Sequence, residues 1–393
     1  MFLQLKIRIV KLIIFLSAFC FSTACLISQK QQFRNPQQTS TQPTVKKTLP
    51  PPIKAPTPII KYSKKGDFIV IANQESESLD LWYRKVEAEG LTLLQRIEQS
   101  GKVGPMVFNP ENNLLYVGRI DHYIDSYYLD KNNKTLALQK STFINHEPTY
   151  LELDSKGKNL FIVTYFDNVL INYRLGNAGE LFELSQKIST KDKPHSIFFH
   201  SNLNTLYIPT TGSDRIQVFN WNAAESKIIE PAQDIETNIN SGPRHIVKHP
   251  VMPLFYVSNE YSNSVSTFVL NEQNGKLETL STSSSLPANF SAINTVSDIH
   301  ITPNGRLLFV GNRGHHSIGV FKINSSGIPE ILAHVPTEAK PRDFHLDNNN
   351  EYLYVAGQDS GFMSQYKIHS NGIKFVKKHA VGKQPVWVEV IPL

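Results

Sequence analysis

GPRHIVKHPVMPLFYVSNE, residues 242–260, reads as two short strands with a turn between them. Arg244 and His245 open the first strand, and Glu260 closes the second. An antiparallel pair sets the start of one strand beside the end of its partner. One segment therefore brings an arginine, a histidine and a carboxylate to one edge of a sheet. The same template recurs along the chain, with other polar residues at its two equivalent positions. This predicts one shared site assembled from several repeats.

Copies open at Gly104, Glu147, Lys193, Gly242, Ser297 and Lys340. Each runs through an alternating stretch, a turn, a Leu/Phe-Tyr/Phe-Val core and another alternating stretch. The opening positions Pro105, Pro148, Pro194, Pro243, Asp298 and Pro341 are 43, 46, 49, 55 and 43 residues apart. Four-stranded propeller blades have about this length. Alternation between Asn, Gly and Asp turns, without a helical period, gives an all-β chain. A seventh copy is split. QPVWV at 384–388 begins a repeat 44 residues after Pro341, and the chain stops at Leu393. DFIVIAN at 67–73 matches the missing second strand, with the third at 77–86 and the fourth at 91–99. The expected fold over residues 66–393 is a seven-bladed β-propeller, closed by pairing of its N- and C-terminal strands so that no sheet edge is left bare. An open solenoid does not explain a last repeat truncated where the first begins.

The formal charge of +6 is unevenly divided. Residues 1–65 hold 11 Lys and Arg and no Asp or Glu, so the rest holds 40 − 11 = 29 basic and 34 acidic residues, a charge of −5. A mildly acidic body is not a nucleic-acid-binding one. Both cysteines, Cys20 and Cys25, lie in the first 25 residues, which excludes disulfides, cysteine metal sites and a cysteine nucleophile from the propeller.

Lys6, Arg8 and Lys11 precede the apolar run 12–21 and the small residues before Cys25. This is the form of an export signal, residues 1–25, and the run is short for a spanning helix. Its end resembles a bacterial lipobox with Cys25 as the lipid-carrying residue, although Ser22 stands where leucine is usual. The alternative is an uncleaved anchor. Either reading tethers the propeller to a membrane of the cell envelope, outside the cytoplasm. Residues 26–65, rich in Gln, Thr and Pro, are expected to be a disordered linker.

In a propeller the first strand of each blade lies nearest the axis. Strand-one starts and strand-two ends then share one face around the central channel. His195, Arg244, His245, His300 and Arg342 fall at or near the starts; Asn73, Arg119, Asn259, Glu260, Asn312, Arg313 and Gln358 fall at the ends. Arginines, histidines and a carboxylate together make an anion pocket with acid–base groups. Each also has a plain structural use: the arginines as links between blades, Glu260 as their partner, the histidines as packed residues. No G-x-S-x-G, P-loop or H-E-x-x-H motif occurs, and the histidines lack metal-ligand spacing.

GPRHIVKHP, VSNEYSNSV, PANFSAINTVSDIHITPNGRLLFVGNR, KPHSIFF and TEAKPRDFHLDNNNEYLYVAGQDS together resemble the bacterial β-propeller 6-phosphogluconolactonases, from about residue 67 to the C-terminus. The wider lactonase family includes fungal carboxymuconate cyclases. The resemblance implies hydrolysis of 6-phospho-D-glucono-1,5-lactone, a phosphorylated sugar lactone, to 6-phosphogluconate, without metal or other cofactor. It carries catalytic roles onto His195, Arg244, Glu260 and Arg313, with His245, Asn259, Asn312 and Arg342 as substrate-binding neighbours. A monomer is expected, since a closed ring needs no partner. The competing expectation is a non-catalytic, envelope-anchored propeller that binds a protein or polysaccharide. The four retained residues favour the enzyme.

Overall fold

A computed structural model describes residues 66–85 and 89–393. The expected signal segment, Cys25 and the linker lie outside the described residues. Among the described residues there are strands and turns and no helix. They form seven four-stranded antiparallel sheets.

Blade 1 contains β1 (Asp67–Asn73), β2 (Ser78–Arg84) and β3 (Leu91–Glu98). Blade 2 is β4 (Val103–Asn109), β5 (Leu114–Arg119), β6 (Tyr123–Asp130) and β7 (Thr135–Phe143). Blade 3 is β8 (Tyr150–Leu153), β9 (Asn159–Thr164), β10 (Val169–Leu175) and β11 (Leu181–Ser189). Blade 4 is β12 (Phe198–His200), β13 (Thr205–Thr210), β14 (Arg215–Asn222) and β15 (Lys227–Glu236). Blade 5 is β16 (Pro243–Lys248), β17 (Leu254–Asn259), β18 (Ser264–Leu270) and β19 (Leu277–Ser284). Blade 6 is β20 (Val296–Ile301), β21 (Leu307–Asn312), β22 (Ser317–Ile323) and β23 (Pro329–Pro336). Blade 7 is β24 (Pro341–Leu346), β25 (Tyr352–Gly357), β26 (Phe362–His369) and β27 (Gly372–Ala380). The last strand, β28 (Pro385–Pro392), returns to pair with β1 in blade 1. Its register runs from Asp67 opposite Pro392 to Asn73 opposite Pro385.

The burial pattern explains the sequence pattern. Second strands such as β17 and β21 are buried at every position. Blades pack on both of their faces, so such strands read as apolar runs. The outer strands are less covered: β3 has no buried position and mixes half-buried with exposed ones. Hydrophobic clusters therefore sit between neighbouring blades: one combines β1 and β28 side chains with Tyr354 and Met363 of blade 7. Buried Arg84 adds a polar link across the same joint, 2.5 Å from Asp67 and 2.8 Å from Asp347.

Strand-one starts are irregular. The ladder skips a residue between Pro243 and His245 and between Pro341 and Asp343, and two residues between Val296 and Ile299. Each bulge adds one residue: Arg244, Arg342, and in blade 6 one more residue where Ser297 and Asp298 together oppose Gly311. In blade 4 regular pairing begins only at Phe198, and a single bridge joins Pro194 to Thr210 before it. A bulge re-aims side chains that strict alternation would send to opposite faces. The residue before the opening proline is left-handed in four blades: Lys193, Gly242, Lys340 and Gln384. Only position 242 demands glycine, because a Cβ there would lie 2.6 Å from the Tyr261 ring.

Candidate active site

The bulges at Arg244 and Arg342 deliver their side chains to a cavity of about 230 Å³ at one end of the axis. Arg244, His245, Arg342 and Asp343 come from strand-one starts, and His195 from the broken start of blade 4. Glu260 and Arg313 follow β17 and β21. All four residues expected to be catalytic line this cavity, as do His245 and Arg342. Hydroxyl-to-carbonyl bonds from the neighbouring blade hold the bulges: Ser196 to Arg244 at 2.8 Å, Thr211 to Pro243 at 2.9 Å and Ser297 to Pro341 at 2.6 Å.

Asn259 and Asn312 are placed elsewhere. Both are fully buried and neither is on the cavity wall. Asn259 donates to Ser264 and Ser266, and Asn312 to the Ser285 carbonyl and Ser317. Asn259 braces the hairpin that follows its strand, as Asn73 does through Ser78, and Asn312 ties its strand end to Ser285 of blade 5. Arg119 is also away from the cavity, paired with Asp121 and Asp125. Sequence reading missed Tyr165, Asp343 and Trp387 on the wall, and Phe166 on its lip. The Phe166 ring is 71% exposed.

Glu260 lies between two arginines. Its Oε1 accepts from Arg313 Nη2 at 2.6 Å, and its Oε2 is 3.3 Å from Arg244 Nε. Burial pushes the Glu260 carboxyl up, but Arg244 and Arg313 outweigh it and hold it below the usual range. Glu260 is therefore a fixed carboxylate. Arg244 is 3% exposed. Its contact with Glu260 is misaligned for a hydrogen bond, and neither Nε nor Nη1 has a hydrogen-bond partner. Burial, then Arg313, push Arg244 down to about 9, against the pull of Glu260. The half-buried Arg342 side chain makes no hydrogen bond or ion pair with a described residue. Three guanidinium groups thus share one close carboxylate, and the deficit favours an anion or a developing oxyanion.

The histidines are neutral. Burial, then Arg244 and His245, push His195 well below its ordinary value. Burial and Arg244 push His245 down to about 4, against the pull of Asp298. Their ring centroids are 5.1 Å apart. His195 Nδ1 and His245 Nε2 are buried without partners. Such imidazoles are uncharged at neutral pH, each with an unpartnered ring nitrogen.

Beneath the cavity, Tyr150 reaches across the axis. Its ring meets His245 of blade 5 at 5.5 Å and Trp387 of blade 1 at 5.4 Å. A second chamber of about 180 Å³ lies there, walled in part by Glu152, Asp298, His300, Asp343, His345 and Glu389. Carboxylates in it tie neighbouring blades: Asp343 accepts from Val388 N at 2.7 Å, and Glu389 from Phe108 N at 3.2 Å. Among the described residues, no group of three or more His, Cys, Asp or Glu is arranged to hold a metal ion.

Comparison with known proteins gives a consistent result. Residues 73–390 match the model of the family described as Lactonase, 7-bladed beta-propeller. The chain is 32% identical over 330 residues to a 6-phosphogluconolactonase of Pectobacterium carotovorum, covering 83% of this chain and 98% of that one. It is 31% identical over 328 residues to a 6-phosphogluconolactonase of Yersinia enterocolitica, covering 82% and 98%. Among solved structures, a periplasmic gluconolactonase of Pseudomonas aeruginosa superposes with a TM-score of 0.77 at 20% identity, covering 83% of this chain and 99% of that one. A Lactobacillus plantarum protein gives the same score at 19% identity and the same coverage. These two likenesses speak for the fold.

Proposed function

The chain belongs to the seven-bladed β-propeller lactonase family, and from that premise we propose that it opens a sugar lactone by hydrolysis at the arginine-lined cavity, with 6-phospho-D-glucono-1,5-lactone as substrate. The observation that carries this reading is Arg244: a buried guanidinium with Nε and Nη1 unpartnered, beside neutral imidazoles. A cation left so under-neutralised costs stability, and an anionic ligand offsets that cost. A passive docking face leaves this arrangement without a use. Arg244 Nη1, buried without a partner, is the donor assigned to the lactone carbonyl oxygen, whose charge grows as water adds. Arg342, without a partner of its own, suits the phosphate. Glu260 holds Arg244 and Arg313 in position and stays ionised throughout.

The test is hydrolysis of freshly prepared 6-phosphogluconolactone by the full-length, detergent-solubilised chain, measured against the spontaneous rate. Arg244→Ala should lower kcat/KM by ~10²-fold or more, as loss of an oxyanion donor does. Unchanged kinetics in that variant would remove Arg244 from the chemistry. Arg342→Ala should act mainly on KM for the phosphorylated lactone, and much less for unphosphorylated gluconolactone.

We propose further that residues 1–65 tether the enzyme outside the cytoplasm, supported by the basic start, the short apolar run and the small residues before Cys25. Labelling with a radioactive fatty acid in a bacterial host should mark the wild-type chain and leave Cys25→Ser unmarked. Equal labelling of both would reject Cys25 as the lipid site.

A further inference from the structure

We propose that His245 is the group that takes the proton of the attacking water, and that Asp298 is the positioning residue that gives it this role; the inference rests on the lactonase reading above. His245 Nδ1 lies 2.6 Å from Asp298 Oδ1, and both side chains are buried. An ionised carboxylate only accepts, so Nδ1 carries the hydrogen and Nε2 keeps its lone pair. Nε2 is the buried atom without a partner, on a ring that lines the cavity beside Arg244. Asp298 is held from several sides. Its Oδ2 takes His300 Nε2 at 2.9 Å and Phe344 N at 3.3 Å, and its Oδ1 takes Ile299 N at 2.8 Å.

The alternatives fit less well. Glu260 is committed to two arginines. His195 has no carboxylate on Nδ1 to fix its tautomer. A purely structural account of Asp298 is also incomplete. Asp343 and Glu389 make the link to the next blade's amide without a histidine on the carboxylate. Asp298 makes that link and holds two imidazoles besides. A carboxylate on one ring nitrogen, with the other nitrogen left unpartnered, is the arrangement that orients an imidazole base.

The step balances without a further reactant. Water gives a proton to His245 Nε2 as its oxygen bonds to the lactone carbonyl carbon. The carbon–oxygen bond of the ring then breaks, and the leaving alkoxide takes that proton from Nε2. The product is the hydroxy acid, which ionises to solvent.

The experiment compares Asp298→Asn, His245→Gln, the double variant and Arg244→Ala in the full-length chain. Asparagine keeps an acceptor for Phe344 N, and His245→Gln leaves the Asp298 links to blade 7 intact should Asp298→Asn fail to fold. Each single variant should lower kcat by ~10²-fold or more, the size of a general-base contribution, with KM within a few-fold. The double variant should be no slower than the slower single one, because the pair acts as a unit. Histidine-selective 15N NMR should find His245 with its hydrogen on Nδ1, and a change of tautomer in Asp298→Asn. A structural role alone would not move that signal. Normal kcat in either single variant, multiplied losses in the double, or hydrogen on Nε2 in the wild type would each overturn the proposal while Arg244→Ala still reports the lactonase. A wild-type chain without lactonase activity would overturn the reading of the cavity instead, and the catalytic role of His245 with it.

Discussion

At the scale of single residues, charge and burial decide what each side chain of the cavity can do. His245 is pushed down to about 4 by burial and Arg244. The other groups facing it are His195, Asp298, His300, Asp343 and the Tyr150 ring. Above that value the ring is neutral and able to accept a proton; below it the ring is charged and cannot. We therefore expect kcat/KM to stay level between pH 5 and 8 and to fall near pH 4, measured by initial rates against the slow spontaneous reaction. A limb near the ordinary histidine value of about 6.5 would contradict a buried, neutral His245. His195, Arg244, Glu260 and Arg313 were legible because the repeat register puts strand starts and strand ends on one face. The same rule drew in Asn259 and Asn312, whose side chains turn away from the cavity into their own hairpin and onto Ser285 of blade 5 respectively, which no register predicts. Asp298 looked like a substitute for an opening proline. Its place beside His245 depends on a bulge, and nothing in the residue spacing announces one.

At the scale of elements, the strands follow from alternation and from the buried second-strand core, so their number and order were readable. What joins them across blades was not. In three blades the second-strand tyrosine reaches a glycine carbonyl in a hairpin of the following blade, whereas the Tyr354 hydroxyl of blade 7 is buried without a partner. Tyr116 bonds to Gly179 at 2.5 Å, Tyr207 to Gly275 at 2.8 Å and Tyr256 to Gly327 at 2.9 Å. Two blades have phenylalanine at this position, Phe161 and Phe309, so the packing tolerates the ring without its hydroxyl. Tyr256→Phe should then fold normally and lose ~1–3 kcal/mol, the cost of a buried carbonyl left unpaired, read from denaturant unfolding. A loss below a few tenths of a kcal/mol would mean that the bond adds nothing net.

At the scale of the whole molecule, the ring depends on its last strand. Val386, Val388, Val390 and Ile391 of β28 are buried. At ~1.5–3 kcal/mol each they contribute on the order of 6–12 kcal/mol, comparable to the entire stability of a typical domain. Ending the chain after Gln384 should abolish cooperative thermal unfolding and produce aggregates on size-exclusion chromatography. A monomer that melts at the wild-type temperature would refute this. Closure also imposes an order in time. Asn73 is made early, and its partner Pro385 follows on the order of 300 residues later. At ~5–20 residues per second, β1 waits ~15–60 s with an unpaired edge. A ribosome that stalls late in this message therefore holds an almost complete chain whose first strand is still open to the wrong neighbour, which makes the closing minute of synthesis the period in which a holding chaperone matters most.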